Sequence, residues 1–175
     1  MTSLEKIEFN GVPWYIGDRA FSYASKIKSF ELPEGIRELG ASLFYQSTTL
    51  YSVTLPESIE KIGNGTFSGC TALINVTIKS NIDNLPKSTF YGCESLVSIK
   101  IPEGVTLIGE TAFYGCTSLV SVYLPKSLTE IGKNAFVNST KLNEVLYDGT
   151  EYAFAMIHIA EGNEPIVVAY MKSKS

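Results

Sequence analysis

The sequence has one histidine, His158, two arginines, Arg19 and Arg37, and no long hydrophobic run. Each scarcity excludes something. A lone histidine set among Met156, Ile157 and Ile159 has no organised neighbour to make it a general base, so it reads as the outward residue of a capping strand. Two arginines near the N-terminal end, and a net charge of −4 from 14 basic and 18 acidic residues, leave no clustered cationic footprint for nucleic acid. No apolar stretch approaches the roughly 20 residues of a membrane span, so membrane insertion is not expected. The opening residues Met1-Thr2-Ser3-Leu4-Glu5-Lys6 lack the basic-then-apolar order of a signal peptide. The fingerprints Gly-x-Ser-x-Gly, His-Glu-x-x-His, the P-loop and the dinucleotide glycines are missing too. Neither an enzyme nor a cofactor is expected.

The chain is also short of cysteine. Cys70, Cys93 and Cys116 lie 23 residues apart, whereas zinc knuckles keep their pairs two to four apart, so no metal site is expected. Side chains stacked in parallel rarely reach the dihedral of a disulfide. The equivalent positions hold Ala24, Ser47 and Ser139, and a small buried slot accounts for all six residues.

That spacing of 23 organises the chain. Phe21, Phe44, Phe67, Phe90, Phe113 and Phe136 recur at it without an insertion, as do Leu4, Ile27, Leu50, Leu73, Leu96, Leu119 and Leu142. A fixed period of this size is the signature of a solenoid, in which each coil buries its apolar face only against its neighbours. Positions one, four and six of the unit are apolar, and positions three and five are polar or variable, as on a short strand with one face inward. Proline at position seven ends the strand, a Glu-Gly or Ser corner follows, and apolar residues at ten and thirteen bring the chain back. Glycine at fourteen supplies either a positive φ or a close backbone approach. Phenylalanine at eighteen fills the coil, and Gly-Cys or its substitutes close the turn. Coil four keeps the length but puts Lys79 in the proline slot and Pro86 in the glycine slot.

These features predict about seven coils over residues 4–147, one parallel strand ladder roughly 30 Å long, and few or no long helices. Leu4, Ile7 and Phe9 should form the opening strand. Trp14, in a variable position, either covers the open end or marks contact with a preceding segment. The whole of residues 1–175 reads as one domain, closed by a capping segment over 148–170. In it, Tyr152 to Ile159 forms a short helix or strand, and Ile166-Val167-Val168-Ala169-Tyr170 adds a final strand.

The unit Leu119-x-x-Val122-x-Leu124-Pro125-x-Ser127-Leu128-x-x-Ile131-Gly132-x-x-Ala135-Phe136 resembles the leucine-rich repeat of the BspA-like, or Treponema pallidum-type, class. The closing stretch through Phe154, Ile157-His158-Ile159 and Gly162-Asn163-Glu164-Pro165-Ile166 is similar to the segment that often ends such arrays. A tryptophan is usual where Phe154 stands, and a glycine where Ala160 stands. Ordinary leucine-rich repeats carry an asparagine at position nine, which here is Val12, Gly35, Ser58, Asn81, Gly104, Ser127 and Thr150. The resemblance implies a leucine-rich repeat solenoid on a bacterial surface, adhesion or recognition of a macromolecule, and no catalytic residues.

The outward side of the strand ladder is the first place to look for binding. Position three reads Lys6, Ser29, Ser52, Asn75, Ser98, Ser121, Glu144; position five reads Glu8, Glu31, Thr54, Thr77, Lys100, Tyr123, Leu146. Lys100, Tyr123 and Leu146 stand out from a face otherwise rich in hydroxyls, and tyrosine is a favoured contact residue. The bland account is a solvated strand face. A second candidate is the rim after the phenylalanine, where Tyr91 and Tyr114 should be neighbours, either packed on each other or contacting a partner. Three Asn-x-Ser/Thr triplets, at Asn64, Asn75 and Asn138, are what turn-rich repeats produce by chance.

The reading is therefore a non-enzymatic binding or adhesion module of a cell-surface or secreted bacterial protein, presenting the ladder face to a protein or glycan. Its abrupt start suggests a piece of a longer exported chain. A structural spacer without a ligand, and a cytoplasmic interaction scaffold with free thiols, are the alternatives. A monomer is expected, with end-to-end pairing through the N-terminal edge open to an isolated fragment.

Overall fold

The structure is a computed structural model that describes residues 5–174; Leu4, the first of the periodic leucines, lies outside them. Each 23-residue unit is one flattened coil with a strand side, a corner, a return side and a turn side. Numbered along the chain, the return side holds β1 (Tyr15–Ile16), β3 (Glu38–Leu39), β5 (Lys61–Ile62), β7 (Asn84–Leu85), β9 (Leu107–Ile108), β11 (Glu130–Ile131) and β13 (His158–Ile159). The strand side holds β2 (Ser29–Glu31), β4 (Ser52–Leu55), β6 (Asn75–Ile78), β8 (Ser98–Lys100), β10 (Ser121–Leu124) and β12 (Glu144–Tyr147). All pairings are parallel, and from β1 through β12 they keep the register of the repeat, as in Val122 beside Ile99 and Val145. Ile7 and Phe9 form no strand; both are half-buried against the core. Trp14 does not close the open end: it is 62% exposed and leans on Tyr15.

The core is a line of side chains repeated from coil to coil. Phe44, Phe67, Phe90, Phe113 and Phe136 form a file, with successive ring centroids 5.8, 5.5, 5.4 and 5.1 Å apart and planes within 16° of parallel. Each ring is fully buried, which stabilises the stack by about 2 kcal/mol per side chain. Phe21, in the worn first coil, is tilted 39° to Phe44.

Backbone bonds run in opposite senses on the two sides of a coil. On the return side a later coil donates to an earlier one, as from Gly40 N–H to Ile16 O at 2.8 Å. On the turn side the earlier coil donates, as from Phe67 N–H to Thr89 O at 3.0 Å. Glycine at position fourteen turns out to need proximity, not an unusual φ: a Cβ on Gly109 would stand 2.6 Å from the Lys87 nitrogen. The turn is a series of i→i+3 bonds, as from Ala112 N–H to Gly109 O and from Tyr114 N–H to Thr111 O, each at 3.2 Å, and its two left-handed residues recur from the first coil to the sixth. One of them is Tyr23, Gln46, Gly69, Gly92, Gly115 and Asn138, with φ between 56 and 75°.

Coil four breaks the expected single ladder. The strand side divides into β2-β4-β6 and β8-β10-β12, and the return side into β1-β3-β5 and β7-β9-β11-β13. The turn-side bonds continue across both breaks, from Phe67 to Thr89 and from Phe90 to Ala112.

The cap begins with α1 (Glu151–Ala155), whose N-terminus is held by the Thr150 hydroxyl accepting from the Ala153 N–H at 3.1 Å. The final strand expected over Ile166–Tyr170 is instead α2 (Glu164–Lys172), with Pro165 in its first turn. Ile166, Ala169 and Tyr170 are its buried residues, a helical i, i+3, i+4 spacing that overrides the β-branched composition.

Candidate interaction surfaces

The register places three of the residues singled out in the sequence on one line. Tyr123 pairs with Lys100 on one side and with Leu146 on the other, all three facing outward from β8, β10 and β12. Tyr123 is 42% and Leu146 36% exposed. The Lys100 ammonium has no carboxylate within ion-pair distance among the described residues. The row exists because the inward residues Ile99, Val122 and Val145 anchor each strand in the core.

Tyr91 and Tyr114 lie apart from that row, on the turn side. Their rings stack 4.9 Å apart and within 4° of parallel, and the Asn138 amide donates to the Tyr114 hydroxyl at 3.2 Å. Self-packing accounts for much of their area, although Tyr91 remains 41% exposed.

Sequence reasoning missed a cleft of about 420 Å³ where β6 and β8 part. Val76, Ile78, Ile101 and Pro102 form its apolar wall, Thr77 and Lys100 its edge on the strand face, and Glu103 and Asp148 its corner end. Val76 and Ile78 occupy inward positions that are buried in the neighbouring coils, yet both are only partly buried. The signal for it was present in Lys79 and Pro86, which depart from the punctuation of every other internal coil. A second hollow, of about 520 Å³, lies in the cap between α1, β13 and α2. It is walled by Phe154, Ile157, Ile159, Val167, Tyr170 and Met171.

The other sides are committed to holding the stack. On the return side Arg37 pairs with Glu60 at 2.6 Å, Lys61 with Glu38 at 3.1 Å and Lys87 with Glu110 at 2.8 Å, each linking adjacent coils. Exposed pairs of this kind contribute little each. Lys133 and Glu161 tie the last coil to the cap, and their hydrogen bond holds the Glu161 carboxyl below its ordinary range. The corner has hydroxyls where an asparagine ladder would be. Ser58 Oγ accepts from the Gly35 N–H at 2.9 Å and donates to Ile36 O at 2.8 Å, and Ser127 repeats this with Gly104 and Val105.

The cysteine slot is buried, and it also carries a hydrogen bond. Cys70, Cys93 and Cys116 donate to the carbonyls of Phe44, Phe67 and Phe90 at 3.1, 3.2 and 3.2 Å. Ser47 and Ser139 make the same bond to Phe21 and Phe113 at 2.9 Å. Burial pushes the Cys70 and Cys116 thiols up to about 12 and Cys93 well above its ordinary value. A thiol held protonated is neither a nucleophile nor a metal ligand. Among the described residues no group of His, Cys, Asp or Glu could hold a metal ion, and no helix is long and apolar enough to cross a membrane. His158 points outward from β13, and its backbone N–H donates to Thr129 O at 2.9 Å.

Comparison with known proteins gives this geometry a context. Residues 1–96 match the family described as BspA type leucine rich repeat region (6 copies). A leucine-rich repeat protein of Bacteroides ovatus superposes with a TM-score of 0.77 at 32% identity, over 97% of this chain and 46% of that one. A leucine rich cell surface protein of Faecalibacterium prausnitzii gives 0.74 at 29% identity, over 84% and 51%. The T. pallidum leucine rich repeat protein gives 0.67 at 33% identity, over 75% and 62%. This chain thus spans about half the length of the first two proteins. No curated protein matches it.

Proposed function

Because the chain belongs to the BspA-type leucine-rich repeat family, a fold of non-enzymatic interaction modules, we propose that it is the recognition part of a surface-exposed bacterial protein and binds a protein partner through its strand side. The observation that carries this reading is the exposed row Lys100, Tyr123 and Leu146, aligned across three paired strands beside a cleft. A cation with no carboxylate partner among the described residues, a tyrosine ring and an aliphatic side chain in register offer a contact that hydroxyl-lined strands do not. The similarity to a cell surface protein supports the location.

One observation favours a spacer instead: position three is Ser29, Ser52, Asn75, Ser98 and Ser121 along most of the ladder, a surface suited to water.

The test is binding of the fluorescently labelled chain to cultured epithelial cells, untreated, trypsin-treated or glycosidase-treated. The expected result is saturable binding that trypsin removes and that Lys100→Glu/Tyr123→Ala weakens at least about tenfold, the loss of roughly 1.4 kcal/mol. Equal binding by parent and variant would exclude the strand side, loss on glycosidase alone would indicate a glycan, and no binding by either would leave the spacer.

A further inference from the structure

Two asparagines of this chain precede a glycine, in Asn10-Gly11 and Asn64-Gly65, and the fold treats them differently. The backbone nitrogen that follows an asparagine can close a five-membered ring on the side-chain amide carbon, and glycine, without a Cβ, obstructs this least. Ring closure then requires that the nitrogen be free and that the backbone about it can turn. At Asn64 neither condition holds. The Gly65 N–H donates to Lys87 O at 2.9 Å, and Asn64 O accepts from the Ser42 N–H at 2.8 Å, so the dipeptide is tied to the coil on either side. Gly65 itself is buried, and reaction there needs the turn to open.

At Asn10 both conditions hold. Asn10 stands in the proline position of the worn first coil, so the corner that Pro33, Pro56, Pro102 and Pro125 stiffen elsewhere is made here by Asn10-Gly11. Both residues are exposed, and the Gly11 N–H donates to no backbone or side-chain acceptor among the described residues. A Cβ built on Gly11 would meet nothing within 4 Å, so the space about the nitrogen is open. The segment before the corner forms no strand, and the first strand after it begins only at Tyr15. Nothing on either side of the dipeptide fixes its backbone as the coils beside Asn64 do.

We propose that Asn10 is a self-modifying site, which converts in the folded protein to isoaspartate and aspartate while Asn64 stays intact. The Gly11 nitrogen gives its proton to base and attacks Asn10 Cγ. As that N–C bond forms, the C–N bond of the side-chain amide breaks, and ammonia leaves carrying the proton. Water then opens the cyclic imide. Addition at Cγ gives aspartate, and addition at the backbone carbonyl carbon of residue 10 gives isoaspartate, whose chain runs through Cβ. Nothing is oxidised or reduced, and water is the one co-reactant. Either product adds a negative charge to the corner beside Glu8, and isoaspartate lengthens that corner by one backbone atom. Phe9, the residue before it, packs on Phe30 with ring centroids 6.3 Å apart, so the isoaspartate form should hold coil one less firmly on coil two. The site lies at the far end of the stack from the cap and does not depend on the strand-side reading.

The experiment ages the intact folded chain in mildly alkaline buffer and follows both dipeptides by peptide mass spectrometry. An isoaspartyl methyltransferase, which methylates isoaspartate and not aspartate, marks the product of ring opening. Conversion at Asn10 should run at least about tenfold faster than at Asn64, and should quicken as the pH rises because the attacking nitrogen must lose its proton. The methyl label should be confined to the peptide that holds residue 10. In the same chain unfolded in urea the two sites should convert at similar rates, which assigns the difference to the fold. Gly11→Ala, which obstructs ring closure, should slow conversion at Asn10 at least about tenfold, with Asn64 in the same molecule reporting that the coils are intact. Equal rates at the two sites in the folded chain would overturn the proposal. So would an Asn10 that survives folded while the unfolded control converts. Conversion of Asn10 without methyl label would mean direct hydrolysis, and would overturn the ring-closing step.

Discussion

Replacing the three buried cysteines by serine should make the protein resist alkali. The slot needs a small donor, and Ser47 and Ser139 show that a hydroxyl makes the bond to the phenylalanine carbonyl at 2.9 Å. The folded thiols of Cys70 and Cys116 are pushed up to about 12, and Cys93 is raised as well, chiefly by burial. An unfolded thiol ionises near 8.5. Between those values the folded chain holds protons that the unfolded chain releases, so this contribution is complete below about pH 8.5 and drains as the pH rises towards 12. At pH 10 the unfolded state has gained about 2 kcal/mol per thiol, or about 6 kcal/mol for three, against a typical total of about 5–15 kcal/mol. Urea unfolding followed by far-UV circular dichroism at intervals from pH 7 to 10.5 measures it. Cys70→Ser/Cys93→Ser/Cys116→Ser should match or fall slightly below the parent at pH 7 and exceed it by several kcal/mol at pH 10. Tyrosine and lysine titrations are common to both proteins and cancel in the difference. Parallel stability curves for the two proteins over this range would refute the argument, since they would mean that the thiols ionise as freely in the coil as outside it.

Two glycines should behave differently because they are there for different reasons. Gly92→Ala adds a Cβ that meets nothing nearer than 4.0 Å, so it should cost only about 1 kcal/mol for the φ of +67°. Gly109→Ala, with a Cβ 2.6 Å from the Lys87 nitrogen, should cost at least about 3 kcal/mol or prevent folding, and denaturant midpoints separate the two. At the cap, the Asn163 side chain accepts from the Phe136 N–H at 3.1 Å and donates to Gly132 O at 2.9 Å and Ala160 O at 2.7 Å. Asn163→Ala should lower stability by about 2–4 kcal/mol, and hydrogen exchange should show the Phe136 amide losing protection before that of Phe113.

What could be read from the sequence follows from how each feature is encoded. The phenylalanine file, the buried slot and the row of Lys100, Tyr123 and Leu146 were legible because the register of the strands equals the period: residues 23 apart in sequence are neighbours in space. Helix α2 was not, because Ile166 to Tyr170 lies outside the repeat and its local composition favours a strand. Only packing against the last coil selects the helical spacing. The cleft was illegible for another reason. Lys79 and Pro86 were visible as exceptions, but the effect of a gained or lost N–H falls on the adjacent coil, whose own sequence still follows the ordinary repeat. A period reports what the coils share, which is what keeps them stacked. Recognition needs a place where they differ, since a surface repeated at every coil offers a partner several equivalent registers and no single one. In this chain the residues that differ in coil four and the residues that stand out on the strand face lie side by side at Lys100, so the proposed contact is to be sought there before it is sought along the whole ladder.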